Sequence, residues 1–284
     1  MRPSSCVGFA LFLTFACCEQ ASSAGGDFHV EDGFETDALD QSVWSTKQIK
    51  SGLYHLVPDP RCGTQALAIT VNDDEFEENC SDEEPKCQRA EIRTQPAHRA
   101  TYGQVAWYGF SFKVTGDISA EGSHRFVIGQ WKAPFDDSPF LAQRFDDGIF
   151  HITVQNNKDQ WTVASADGVA SVPPESGLTL TLGERPTLPS PRDTWVDMIY
   201  RVRTGRTDNV YGPRQEGQID VWANGHSVVS VRGNIGATLS KPPDTWLIYF
   251  KTGIYRKYVP GEVTLYFDEF KIHHYIEEVQ PSCN

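Results

Sequence analysis

Residues 249–256 read Tyr249-Phe250-Lys251-Thr252-Gly253-Ile254-Tyr255-Arg256, and their alternation decides how the chain is read. In an extended strand successive side chains point to opposite faces. Phe250, Thr252 and Ile254 therefore share one face, and Tyr249, Lys251, Gly253 and Tyr255 share the other. The first set suits a core. The second gathers a cation and two phenols around a glycine, whose missing side chain leaves room for something to lie against the backbone. A phenol held beside a fixed positive charge is suited to proton transfer.

The same period of two recurs outward from this stretch. Runs rich in Val, Ile, Thr, Tyr, Phe and Trp fall at Ala66–Val71, Arg89–Gln95, Trp107–Val114, Arg125–Lys132, Phe140–Phe145 and Phe150–Gln155. Others follow at Trp195–Arg203, Gln218–Trp222, Ser227–Arg232, Trp246–Lys251 and Val263–His273. Asp146-Asp147-Gly148 and Ala223-Asn224-Gly225-His226 read as hairpin turns. Helical periodicity is almost absent. The pattern predicts an all-β chain, a sandwich or jelly roll of antiparallel sheets. Ala164–Arg192, rich in Pro, Ser and Gly, reads as an extended excursion within that domain.

Residues 1–24 read as a secretory signal peptide: Arg2 precedes the apolar run Val7–Cys18, and Ser22-Ser23-Ala24 offers small residues for cleavage. Residues 25–284 then form one domain, expected to be secreted or periplasmic, monomeric and without a membrane partner. Cys62, Cys80, Cys87 and Cys283 remain after cleavage, and an exported chain directs them into two disulfides with three connectivities open. Cys80 with Cys87 closes a short loop, leaving Cys62 to hold the C-terminal tail through Cys283.

A formal charge of −13 argues against nucleic acid as a partner. It does not exclude an anionic substrate, because a local basic cleft outweighs a distant acidic surface. Much of the acid sits in one stretch, Asp73, Asp74, Glu75, Glu77, Glu78, Asp82, Glu83 and Glu84, which reads as a solvated loop with a calcium site as the alternative.

Three further segments carry polar faces. In Gln88-Arg89-Ala90-Glu91-Ile92-Arg93, alternation places Arg89, Glu91 and Arg93 together, two guanidiniums around a carboxylate. In Ile128-Gly129-Gln130-Trp131-Lys132, Gln130 and Lys132 point the same way. Phe150, Ile152 and Val154 alternate with His151, Thr153 and Gln155.

Together these segments resemble the β-jelly-roll polysaccharide lyases. The family-seven alginate lyases carry an Arg-(Ser/Thr)-Glu-(Leu/Val)-Arg strand, a Gln-(Ile/Val)-His strand and a Tyr-Phe-Lys-Ala-Gly-(Val/Ile)-Tyr strand. The counterparts here are Arg89–Arg93, Gln130-Trp131-Lys132 and Tyr249–Tyr255, in the same order. Gln-Trp and the ending Gly-Ile-Tyr-Arg are closer to the heparin lyase I and glucuronan lyase relatives. The resemblance implies a concanavalin-like sandwich with a concave substrate cleft, and β-elimination on a uronic-acid polymer without a catalytic cofactor. Gln130 and Arg89, helped by Arg93 or Lys132, would neutralise the uronate carboxylate, and Tyr255 would protonate the leaving oxygen. Lys251, Tyr249, Glu91, Gln155 and Arg256 would contact the sugar. One departure matters: Lys132 stands where family seven has its catalytic histidine, and a lysine is normally protonated at neutral pH. His151, His124 or Tyr255 is then the base. Structural calcium is expected where the first strand meets the last, from Glu31 or Asp32 with Asp268.

Two other classes compete. A glycoside hydrolase needs two carboxylates flanking the scissile bond, yet Glu31-Asp32 and Asp268-Glu269 are adjacent pairs that point to opposite faces. A non-catalytic carbohydrate-binding module would use Trp222, Trp131 and Tyr249 as stacking platforms.

Overall fold

The computed structural model describes residues 29–78, 80, 86–118, 126–133, 138–156, 159–207, 215–236, 247–281 and 283. The chain folds into two antiparallel sheets, a jelly-roll sandwich, with strands numbered in chain order. The first sheet runs β13 (Thr179–Leu182), β16 (His226–Gly233), β15 (Gly217–Ala223), β14 (Val196–Arg203), β8 (Ala106–Gly116), β18 (Val263–His273), β4 (Ala66–Val71) and β3 (Tyr54–Val57), with β1 (Val30–Asp32) paired to β18. The second runs β12 (Asp159–Ser165), β11 (Ile149–Asn156), β10 (Leu141–Asp146), β9 (Phe126–Lys132), β17 (Leu247–Lys257), β6 (Lys86–Thr94) and β2 (Trp44–Gln48). The short strands β5 (Glu77–Glu78) and β7 (Ala100–Thr101) add to β6 and β17. No helix among the described residues is long and apolar enough to cross a membrane.

Alternation builds the core. Phe250 and Ile254 of β17, Phe150, Ile152 and Val154 of β11, and Ile219, Val221 and Ala223 of β15 all point between the sheets. Aromatic rings interlock there: Trp131 packs 4.6 Å from Tyr200, Phe110 5.3 Å from Phe250, and Phe112 5.3 Å from Phe150. Each pair crosses from one sheet to the other and contributes about 1 kcal/mol beyond the apolar area it buries. Trp131 is fully buried in this core, so the stacking role expected of it is corrected.

Both anticipated hairpins form. Asp147 and Gly148 (φ 48° and 75°) and Asn224 and Gly225 (φ 49° and 77°) supply the two left-handed residues that a tight two-residue turn needs. The stretch Ala164–Arg192 is less loop-like than expected. Ala164 and Ser165 complete β12, and Thr179–Leu182 forms an edge strand against β16. Its Thr-Leu-Thr-Leu alternation is too short to separate from loop sequence by pattern alone. Disulfides join Cys62 to Cys283 and Cys80 to Cys87.

Candidate active site

Strand register places the polar residues of β6, β17 and β9 side by side on the face of the second sheet that points away from the core. Lys251 lies opposite Arg93 on one flank and Gln130 on the other; Gly253 faces Glu91, Tyr255 faces Arg89, and Tyr249 faces Lys132. Three sequence motifs far apart in the chain thus become one continuous surface.

Glu91 is at its centre. Its carboxylate accepts hydrogen bonds from Gln130 Nε2 and from Arg89 Nε at 3.0 Å, and lies 3.5 Å from Lys251 Nζ. Glu91, Lys251 and Gln130 are only 3%, 3% and 5% exposed. A buried carboxylate needs such partners, because an unpaired charge out of water is strongly destabilising. Burial pushes the Lys251 ammonium below the ordinary lysine value; Glu91 pulls it back up, while Arg89 and Lys132 push it further down. The Arg89 guanidinium also lies 4.1 Å from the Tyr255 ring centroid and holds that ring by a cation–π contact.

Gly253 makes this packing possible. Its φ is +139°, and a Cβ there would meet the Ala90 carbonyl oxygen at 2.1 Å and the Glu91 Cα at 2.7 Å. The space the missing side chain leaves is filled by β6, which corrects the expectation that it leaves room for a ligand. The consequence for the site is indirect: the close approach sets Glu91 beside Lys251.

His151 sits on the same face but further along the sheet. The row runs Tyr255, Val127, Arg144, His151, each residue opposite the next on an adjacent strand. Three strand spacings put its Cα about 14 Å from that of Tyr255. Its Nδ1 lies 3.2 Å from the Ile149 carbonyl and its Nε2 3.4 Å from the Asp146 carboxylate, so both ring nitrogens are engaged at the β10–β11 hairpin. Burial pushes its pKa down, against the pull of Asp146. Thr153 and Gln155 follow it along β11. His124 lies outside the described residues.

Two expected contacts are corrected. Arg256 follows Tyr255 and so points to the opposite face. It is 2% exposed, donates to Gln88 Oε1 at 2.6 Å and to the carbonyls of Asp117, Val259 and Gly261, and thereby ties loops at one end of the sandwich. Burial lowers its pKa to about 10, with Asp117 and Asp73 opposing the shift. Trp222 belongs to β15 in the other sheet, where its ring packs 5.6 Å from that of Trp107.

The carboxylates named for calcium have the following surroundings. Asp268 accepts the backbone N–H groups of Arg61 (2.8 Å), Cys62 (3.1 Å) and Glu269 (2.8 Å), and burial lifts its pKa to about 6. Asp32 accepts the Phe34 N–H and the Trp44 indole N–H, and Glu31 is exposed, opposite Lys271 in the β1–β18 register. Among the described residues, the group of three side chains able to hold a metal is Glu77, Cys80 and Cys87, and its two sulfurs are joined in a disulfide. In the acidic loop, Asp82, Glu83 and Glu84 lie outside the described residues.

Two cations of this face escaped the sequence reading. Arg144 follows the alternation of Ala142 along β10 and could have been found from it. Arg99 lies between the turn Pro96–His98 and β7, where no strand period applies, yet its guanidinium is 5.1 Å from the Tyr249 ring.

A family model described as polysaccharide lyase matches residues 36–271. Among solved structures, an endo-β-1,4-glucuronan lyase from the fungus Trichoderma reesei superposes with a TM-score of 0.58 at 15% identity, over 87% of this chain and 98% of that one. A family 7 alginate lyase in complex with substrate superposes at 0.50 and 13% identity, over 84% and 95% of the two chains. No curated protein matches the chain. At such identities the structural likeness establishes a shared fold.

Proposed function

This chain belongs to the polysaccharide lyase family, and from that membership we propose that it cleaves a uronic-acid polysaccharide by β-elimination. A lyase breaks a C–O bond without water, which requires a C–H acidic enough to lose its proton. In a sugar chain that is C5–H of a uronate, whose electrons can delocalise into the neighbouring carboxylate. The observation that carries the reading is the strip formed by Arg89, Glu91, Gln130, Lys251 and Tyr255: fixed cations and an amide donor beside a phenol, on one sheet face.

In this reading Gln130 and Lys251 donate to the uronate carboxylate as negative charge builds on it, with Glu91 holding both in place. The phenolate form of Tyr255 takes the C5 proton and becomes the neutral phenol. The C5–H electron pair becomes the C4–C5 double bond, the C4–O bond breaks, and the leaving oxygen takes a proton from Tyr255. The Arg89 guanidinium over its ring holds the Tyr255 side chain in place for both transfers. The distance of His151 along the sheet favours Tyr255 for both transfers and leaves His151 to contact a neighbouring sugar.

A single residue serves as base and acid only where C5–H and C4–O lie on the same face of the ring. Glucuronates and mannuronates meet that condition and guluronates do not. Glucuronan and mannuronate-rich alginate are therefore the substrates expected. The leader-like pattern of residues 1–24 and the two disulfides support export from the cytoplasm, to the periplasm or the medium. Replacing Tyr255→Phe removes the hydroxyl and keeps the ring; turnover should fall by three orders of magnitude or more, as for loss of an essential general acid–base. Near-normal turnover of that variant would remove Tyr255 from the mechanism.

A further inference from the structure

The outer face of the first sheet, which the elimination does not use, carries its own band of aromatic and guanidinium groups. Trp107 of β8 and Trp222 of β15 both point away from the core there, half-buried, with ring centroids 5.6 Å apart and planes inclined at 39°. Register extends the band. His273 lies opposite Trp107 on β18, and Tyr275, 63% exposed, has its ring 5.7 Å from that of His273. On the other flank Arg201 lies opposite Trp107, and Asp220 opposite Arg201. Two residues further along, Arg203, Gln218 and Arg232 stand abreast on β14, β15 and β16. The carboxylate of Asp220 is fully engaged, accepting from Arg201 Nη1 at 3.3 Å, from Gln218 Nε2 at 3.0 Å and from the Ser230 hydroxyl. Arg203 donates to the Glu216 carbonyl at 3.1 Å, but its Nε is buried without a hydrogen-bond partner. Neither Arg203 nor Arg232 forms an ion pair with a carboxylate among the described residues. Burial, Arg201 and Arg232 press the Arg203 pKa down, against the pull of Asp220 and Glu216. Positive charge thus stands unneutralised here in a chain of net charge −13.

We propose that this face is a second polysaccharide-binding surface, on which sugar rings of an anionic chain stack on Trp107 and Trp222 while their acid groups meet Arg203 and Arg232. The C–H face of a sugar ring is apolar and fits an indole, and its hydroxyl and carboxylate groups project at the edge, where forked donors meet them. Trp222 and Gln218 are four residues apart along β15, about 13 Å, so the band suits several sugars in a row rather than one. A second copy of the chain fits less well. A stable protein interface needs roughly 800 Å² per partner around an apolar centre depleted of charge, and here two indoles stand among three arginines. The identity of the polymer rests on the reading of the chain as a uronate lyase; the surface itself lies on the opposite sheet and takes no part in the chemistry. It would hold the protein on a long polymer and so raise the local concentration of that polymer at the cleft.

Affinity electrophoresis of full-length Tyr255→Phe protein, through gels holding glucuronan or a neutral soluble β-glucan, reads binding without turnover. In that background Trp222→Ala should weaken retention by glucuronan on the order of tenfold. Trp222→Phe, which keeps a ring, should weaken it less and guards against a folding defect in the alanine variant. Arg232 is exposed and holds no ion pair among the described residues, so Arg232→Ala leaves the fold intact. It should weaken retention by glucuronan about threefold and leave any retention by the neutral glucan unchanged. Unchanged glucuronan affinity in either alanine variant would overturn the proposal, and so would an equal Arg232→Ala loss on the neutral glucan. A wild-type dimer in sedimentation that Trp222→Ala dissolves, with glucuronan binding intact, would assign the face to a second copy and overturn it too. The two readings separate: wild-type protein that leaves glucuronan uncut contradicts the lyase reading, whereas retention that depends on Trp222 and Arg232 supports this surface in either case.

Discussion

Glu91 shows how one buried residue organises the chemistry of its neighbours. Its negative charge orders Gln130, Arg89 and Lys251 and offsets part of the repulsion among the cations around it. Lys251 is held in its charged form by this one contact against burial. A lysine whose pKa is lowered loses its proton earlier as pH rises. The alkaline limb of kcat/KM should therefore lie below the ordinary lysine value of 10.5, and Lys251→Arg should move it upward. A limb that stays in place in the arginine variant would exclude Lys251 as its source. The stability effect has the opposite direction. In that same window the unfolded chain holds the proton more tightly than the folded one, so this residue's contribution to stability grows with pH.

At the scale of the element, β17 carries the site because its two faces have separate tasks. Phe250 and Ile254 fix it in the core, while Tyr249, Lys251 and Tyr255 face outward. Gly253 lets β6 approach, and Gly253→Ala combines a left-handed backbone with a clash against the Ala90 carbonyl. The substitution should cost roughly 3 kcal/mol of stability and reduce turnover as Glu91 shifts from Lys251. Denaturant unfolding alongside initial rates tests this; an unchanged midpoint would mean that β6 yields without cost. Elements also show what sequence could convey. Period-two alternation exposed the polar faces of β6, β9, β11 and β17, and two-residue turns exposed the hairpins, because both are local properties. The short strands β1, β2, β3 and β13 hold too few residues to establish a period. Arg99 reaches Tyr249 from a loop, and Trp222 proved to lie on the other sheet, since pairing between distant segments leaves no local mark. Arg256 adjoins Tyr255 in the motif, but alternation turns it to the opposite face, where it binds Gln88.

At the scale of the molecule, a chain of net charge −13 presents a face where Arg89, Arg93, Arg99, Lys132 and Lys251 surround a single buried carboxylate. Such a concentration of cations draws a polyanion to that surface against the charge of the molecule as a whole. The sandwich supplies the rigidity this needs. Its core locks the second sheet from behind through the aromatic contacts to β8 and β14, and the Cys62–Cys283 disulfide closes a loop spanning 221 residues. Fold, charge distribution and family membership meet in one claim, that Tyr255 and its neighbours cleave a uronate polymer by elimination. The most direct measurement is ultraviolet absorbance during incubation of the wild-type protein with glucuronan, mannuronate-rich alginate and guluronate-rich alginate. The account predicts growing absorbance from the new C4–C5 double bond with the first two and little with the third. Absorbance that grows with none of them would contradict the uronate assignment, and fastest growth on the guluronate polymer would contradict Tyr255 as both base and acid.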